Sequence, residues 1–355
     1  MSDRRKEAEE KMAKAIFISA DCWLCVFDLL SPRQLGFGIA MISHRFDFYV
    51  DEHFKTRKWT FGRIRIWRKF GKNGTNEMEI FNYDGKPMPF PQVQLPRKVV
   101  AFKCIEILYI DQNAIALLRH FRPLFDSFCP INLAIHTTTD RITEFLLHNI
   151  WPIFGKNLHG MGLSARIFHR LRQFASSFLN DYPSLRVVNI YVVNIFPEFP
   201  ADDSAAASDG QLVAKWLFTP RPDVVPKVFK CHLDMDDGNF ASRIEGFIKA
   251  FSLASSPVNF IVVIWFYSSF DDSVLSFDLT NELTREHLAL KRINNSHGFL
   301  LIRCPIARDE SKWTKWEKEA IGRDFQQWNQ IDFHIYNEDN IGNGLLDASP
   351  GPSDH

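Results

Sequence analysis

The chain has 355 residues, 42 basic and 42 acidic side chains, and 46% apolar residues, enough for one large globular domain or two modest ones. Its zero formal charge excludes the basic balance of a dedicated nucleic-acid binder and the acidic, aromatic-poor balance of a disordered tail. Six scattered cysteines, Cys22, Cys25, Cys104, Cys129, Cys231 and Cys304, are too few for a disulfide scaffold and read as reduced, buried thiols in the cytoplasm or nucleus.

In chain order, residues 1–15 form a charged lead-in without the apolar core of a secretory signal. Residues 16–58 read as a compact helical module. Trp23, Val26, Phe27 and Leu30 recur at steps of three and four, as do Leu35, Ile39, Ile42 and Phe46, which predicts two helices, each with an apolar stripe. Ser31-Pro32 supplies a cap and a first-turn proline for the second. Residues 59–97 read as a basic hairpin and linker. Alternation over Trp59 to Trp67, a turn at 71–76 and a return strand from Glu77 to Asn82 precede Gly85, Pro87, Pro89, Pro91 and Pro96.

From 98 to 340 strands alternate with helices. Strands are expected at about 99–110, 131–136, 186–195, 227–233 and 258–267, and helices near 111–127, 138–150, 162–180, 209–218 and 240–254. That order predicts an α/β fold of parallel strands covered by helices. The strand spacing suggests a leucine-rich-repeat-like array, with Phe102, Ile105 and Ile107 at its apolar positions but Ile110 where the pattern has Asn. The array is expected to end in antiparallel strands at 274–279, 286–292 and 299–303, followed by a helix over Lys312 to Trp328 and a last strand over Ile331 to Tyr336. Pro197 to Gly210 reads as a loose loop, and 341–355 as a disordered tail. The longest apolar run, Phe260 to Tyr267, falls far short of the ~20 residues of a spanning helix, so no membrane is expected.

The motifs that could carry chemistry are incomplete. Cys22-Trp23-Leu24-Cys25 has redox-dithiol spacing but no strand before it. Asp234 to Glu245 has the length of a calcium loop, yet Gly238 is fifth where the sharp turn needs it sixth. Gly36-Phe37-Gly38 lacks both a preceding strand and a third glycine. A nucleophile elbow, a P-loop and a zinc His-Glu-x-x-His are all missing. The expectation is a protein with no catalytic residue, cofactor or metal. Lys55, Arg57, Lys58, Arg63, Arg65, Arg68, Lys69 and Lys72 interleave with Trp59, Phe61, Trp67 and Phe70, a pattern that would suit single-stranded nucleic acid, but alternation is the ordinary pattern of a half-exposed strand with Ile64 and Ile66 inward, which is the favoured reading.

The helical block resembles an F-box. Val26-Phe27 stands at the family's Ile-Phe pair, Leu29-Leu30 ends the helix, Leu35 falls at the next leucine, and Ile42-Ser43-His44-Arg45-Phe46 matches the third segment with Phe for Trp. Ile18-Ser19-Ala20-Asp21 stands at the opening, without the family's proline and glutamate. The layout of helical block, hairpin and β/α region is similar to lineage-expanded F-box proteins with a C-terminal substrate-binding region. The resemblance implies a non-catalytic receptor that binds a Skp-type adaptor on a cullin scaffold and presents a protein substrate to a ubiquitin ligase. Physically, an apolar stripe too large for so small a block should dock on a partner. The expected adaptor contacts are Ile18, Val26, Phe27, Leu30, Leu35, Ile42 and Phe46. The alternatives are an interaction module outside any ligase, or a nucleic-acid binder acting through residues 55–72.

Overall fold

The computed structural model describes residues 18–30, 34–56, 59–70, 76–82, 87–88, 99–125, 131–154, 157–191, 195–233, 240–266, 276–293, 298–322, 329–342 and 344–347. The chain divides into a helical unit, within residues 1–61 and 94–100, and a sheet unit of residues 62–93 and 101–355. The protein is mixed α/β. The lead-in, the Ser31-Pro32 helix start and the Asp234 to Gly238 acidic run lie outside the described residues.

In the helical unit, α1 (Ala20–Phe27) begins at Ser19, whose Oγ accepts the Cys22 N–H at 3.3 Å. Such a cap satisfies one of the first-turn donors that have no partner within the helix. A π-helical turn spans Leu35–Ile39, and α2 (His44–Thr56) follows Ser43, whose Oγ accepts the Phe46 N–H. The single helix expected through Leu35 to Phe46 is therefore two pieces. Gly36 and Gly38 weaken helix propensity there, and Ser43 offers a fresh start. Phe27, Leu35, Val50 and Phe54 fill the core, with Trp23, Leu24, Leu30, Ile39, Phe46 and Tyr49 packed around them. Trp23 meets Phe46 edge to face at 4.8 Å.

In the sheet unit, β1 (Trp59–Phe70), β2 (Asn76–Asn82) and β3 (Pro87–Met88) precede β4 (Val99–Ile107). Helices and strands then alternate strictly: α3 (Gln112–Phe125), β5 (Ile131–Thr137), α4 (Asp140–Asn149), β6 (Leu158–Ser164), α5 (Ala165–Phe174), β7 (Val187–Tyr191), α6 (Asp209–Leu217), β8 (Lys227–Leu233), α7 (Phe240–Ser252) and β9 (Phe260–Phe266). They are followed by β10 (Phe277–Asn281), β11 (Glu286–Arg292), β12 (Gly298–Pro305), α8 (Glu310–Ile321) and β13 (Gln330–Ile335). One sheet holds them in the order β10-β11-β12-β9-β8-β7-β6-β5-β13-β4-β1-β2-β3. Pairing is parallel from β4 through β13 and β5 to β9, and antiparallel from β9 out to β10 and from β1 out to β3.

Consecutive strands laid down in one direction put right-handed crossovers on one face. Aromatic pairs mark that covered face: Phe102 with Phe125, Phe333 with Phe154, Phe260 with Phe218 and Phe247, and Phe266 with Phe240. On the opposite face α8 packs over the end of the sheet from β7 to β12, burying Trp313 and Ala320 in one cluster with Val187, Val228, Ile261, Val263, Ile302 and Cys304. A buried ion pair ties β11 to β12: the Arg303 guanidinium donates to Glu286 Oε2 from Nη2 (2.6 Å) and Nε (3.1 Å). Glu286 Oε1 accepts the Val258 N–H, and Phe218 and Phe251 flank the guanidinium.

Four expectations change. Residues 158–164, thought to run partly into a helix from 162, form strand β6, and Ser164 is the cap of α5. The β1–β2 hairpin is not a separate linker but the continuation of the main sheet beyond β4. Part of the expected tail is structured: Ile341 bridges to Ile110, and Asp347 pairs with Arg141. Pro197 to Gly210 has little regular structure yet is tied down, with Ser208 and Gln211 forming a capping box on α6 and Ser208 Oγ donating to Glu198. Residues 348–355 lie outside the described residues.

Candidate functional site

Beyond the last turn of α8, the face over β13, β5, β6, β7 and β8, on which no other helix lies among the described residues, forms a cavity of about 610 Å³. The register builds its floor in rows. Gln330, Asn132, Gly160 and Val187 stand side by side on β13, β5, β6 and β7. The next row is Asp332, Ala134, Gly162, Asn189 and Lys230, and the third begins with His334 beside His136. Strands repeat every two residues, so each of these side chains shares one face while its apolar neighbours pack under the helices.

The two glycines of β6 make the depression. A Cβ on Gly160 would stand 2.3 Å from Asn132 Oδ1, and one on Gly162 would stand 2.3 Å from the Tyr191 hydroxyl and 2.9 Å from its ring. Tyr191 therefore lies across β6 and reaches His136 on β5, ring centroids 4.9 Å apart. His136 in turn stacks on His334, which contacts the Tyr336 hydroxyl at 3.2 Å through Nδ1. Glycine inside a strand commonly marks such a close approach.

Burial sets the charge state of this wall. It lowers the His136 pKa to about 4, with the His334 imidazole adding to the effect. It pushes the Tyr191 phenol up to about 12, aided by the Asp332 charge, and the Cys104 thiol to about 12. The Asp332 carboxyl is raised for the same reason, and the Lys230 ammonium is lowered to about 8. Asp332 Oδ2 accepts from Gln330 Nε2 at 2.6 Å and from the Cys104 thiol at 3.7 Å. Among the described residues Asp332 Oδ1 has no hydrogen-bond partner, and neither has Asn189 Oδ1. Lys230 Nζ donates to the Gly322 carbonyl at 2.8 Å. The wall is rich in hydrogen-bonding groups and rings, and its thiol and phenol stay protonated, the reverse of an activated nucleophile.

The expected adaptor contacts fall into two sets. Phe27 and Leu35 are fully buried in the helical unit's own core, so they hold the unit together rather than face a partner. Leu30 and Phe46 are partly buried against that core. Ile18, Val26 and Ile42 are exposed, Ile42 to 62%, and Leu29, Met41 and Phe48 join them at the surface. Periodicity marked which residues are apolar, but a short unit has to use part of each stripe for itself.

The basic strand follows ordinary alternation. Ile64 and Ile66 are buried, and Arg63 and Arg65 are exposed. Arg65 pairs with Glu106 at 2.6 Å, Lys69 with Glu79 at 3.3 Å, and Arg68 donates to the Asp339 carbonyl, so much of its charge is answered within the fold. Arg57, Lys58 and Lys72 lie outside the described residues, as do the side chains of Lys55, Trp59, Phe61 and Phe70. Cys22 and Cys25 are exposed free thiols on α1, whereas Cys104, Cys231 and Cys304 are buried and free. Gly36 and Gly38 sit in the π-helical turn. Among the described residues no three His, Cys, Asp or Glu side chains gather as a metal set, and no helix is long and apolar enough to cross a membrane.

The groove residues escaped the sequence reading, although a signal was present. Asn132, Ala134 and His136 alternate with Ile131, Leu133 and Ile135, as Gln330, Asp332 and His334 do with Ile331, Phe333 and Ile335. Parallel strands covered on both faces read as continuous apolar runs, so polar alternation in strands placed within a β/α order marks an uncovered face. No protein-family model matches the chain, and neither the curated proteins nor the solved structures contain a match to it.

Proposed function

We propose that the chain is a non-catalytic, F-box-type substrate receptor. Its helical unit docks on a Skp-type adaptor, the adaptor joins it to a cullin scaffold, and the sheet unit holds a protein substrate for ubiquitin transfer in the cytoplasm or nucleus. The observation that carries this reading is the surface of the helical unit. Ile18, Val26, Leu29, Met41, Ile42 and Phe48 stay exposed while the unit completes its core with Phe27, Leu35, Val50 and Phe54. Burying such a side chain on a partner gains ~1.5–3 kcal/mol, against an association cost of ~4–15 kcal/mol, so four to six anchors are enough for stable docking. The F-box-like spacing from Ile18 to Phe46 supports the same assignment. In this reading the β4 to β9 series is a leucine-rich-repeat-like scaffold interrupted by β13.

The test is co-expression of the full chain with a Skp-type adaptor and measurement of affinity for the wild type, Val26→Asp, Ile42→Asp and the control Leu253→Asp, whose site is exposed in the sheet unit. The two helical-unit variants should lose at least tenfold and the control nothing. A folded wild type that fails to bind the adaptor overturns the assignment.

A further inference from the structure

The groove on the sheet contains an acceptor without a donor. Asp332 Oδ1 is buried and lacks a hydrogen-bond partner among the described residues, while its other oxygen is engaged by Gln330 and Cys104. A buried carboxylate with an unsatisfied oxygen is costly to hold in a fold unless a water, an ion or a ligand completes it. Asn189, three strands away in the same register row, lines the same cavity; its side chain engages Tyr191, and its Oδ1 is a second acceptor without a hydrogen-bond partner among the described residues. Between them the Tyr191 ring lies over Gly162 and lines the cavity, and it stacks towards His136, whose ring lies on that of His334 in the next register row. The cationic amine among the lining residues, Lys230, already donates to the Gly322 carbonyl.

We propose that this groove is a recognition site for a positively charged side chain, arginine above all and lysine in its place, carried on a segment of a partner protein. A guanidinium matches the site in each respect. It donates from several N–H groups at once, pairs with carboxylates through charge-assisted bonds, and stacks on ring faces. An anion would meet Asp332. The cavity of about 610 Å³ lies in the ~300–1,000 Å³ range of ligand sites and has room for the residues flanking the cation. That the segment belongs to a ubiquitination substrate rests on the receptor reading above; the binding chemistry does not.

The probes are acetylated, amidated pentapeptides with Arg, citrulline or Glu between glycine pairs, together with free arginine. They are titrated into the full chain alone and followed by fluorescence of Trp265, which lines the cavity, or by calorimetry. The arginine peptide should bind saturably, the citrulline peptide at least tenfold more weakly, and the glutamate peptide not at all. Asp332→Asn, close to isosteric and checked by thermal unfolding, should lose at least tenfold in affinity, and Asn189→Ala should lose severalfold. The proposal fails if citrulline matches arginine, if the glutamate peptide binds better, if free arginine binds as tightly as the peptide, or if no probe saturates at millimolar concentration. Adaptor docking is measured separately, so a chain that binds the adaptor but not the arginine peptide overturns this inference alone. The reverse result overturns the receptor reading alone.

Discussion

The imidazole rings of His136 and His334 lie face to face on neighbouring parallel strands, centroids 4.8 Å apart and planes within 3° of each other. Two protonated rings in that arrangement would repel, and burial together with the His334 ring holds His136 neutral, with a pKa of about 4. His159 is lowered to about 4 as well, by burial and by Arg186 and Arg221. Both rings must lose hydration to charge in the folded state, whereas in the unfolded chain they charge near the ordinary value of ~6.5. Between these values the unfolded chain binds more protons, so stability falls as pH drops from about 6.5 towards 4. The expected loss is roughly 2 to 4 kcal/mol for the pair, discounted for the solvent that reaches both rings. Urea unfolding at a series of pH values should show it, and the double variant His136→Gln/His159→Gln should flatten the curve in that window.

Asp332 moves in the opposite sense. Burial raises its carboxyl pKa, with Glu106 nearby adding to the rise and His334, Gln330 and Cys104 opposing it. The folded state therefore holds this proton more tightly than the unfolded chain, and its contribution to stability declines as pH rises from the ordinary carboxylate range through the raised value. Asp332→Asn should stabilise the ligand-free protein at pH 7 by about 1 kcal/mol, or ~2 °C in melting temperature for a domain of this size. The gain should vanish near pH 4. An unchanged or lowered melting temperature at pH 7 would mean that the carboxylate is not under strain.

The β6 glycines should not respond alike to alanine. At Gly160 the new Cβ meets the far end of the Asn132 side chain, which can swing away. At Gly162 it meets the Tyr191 hydroxyl and ring, held against His136. Gly162→Ala should cost ~1–3 kcal/mol as an overpacked site, and Gly160→Ala clearly less. Adding Tyr191→Leu to Gly162→Ala should recover much of the loss. Chemical unfolding gives the energies, and near-ultraviolet circular dichroism follows the displaced tyrosine.

The Arg303–Glu286 pair is fully enclosed. Glu286→Ala would leave a guanidinium in the interior with one carbonyl, that of Ser256, still accepting from it. The expected cost is ~3–5 kcal/mol. Glu286→Leu/Arg303→Met should recover most of that, because neither charge then needs a partner. If Glu286→Ala costs under about 1 kcal/mol, the pair contributes little to holding β11 and β12 together.

The element order of the sheet unit was legible because helical and strand periods alternate cleanly. The strand expected at 227–233 is β8, and the helix expected at 209–218 is α6 to within a residue. β6 was not legible, since Gly160 and Gly162 carry no side chain and so leave no apolar or polar beat to follow. Nor could local spacing show that the Ile331 strand enters the sheet between β4 and β5. Pairing partners distant in sequence are chosen by packing. In the helical unit the apolar stripes were readable, but their division between core and surface was not. Val26 and Phe27 are adjacent in sequence, yet one faces solvent and the other is buried.

The placement of β13 dictates an order of events during synthesis. Asn329 accepts the Phe102 N–H through its side chain across a separation of 227 residues, and β13 then pairs with β4 on one side and β5 on the other. Until β13 has emerged from the ribosome, β4 and β5 each present a bare edge, open to pairing with other chains. Gln330, Asp332 and His334 arrive with the same strand, so the groove does not exist in a nascent chain that lacks it. A prematurely terminated product would be sticky along its seam and blind to a basic ligand.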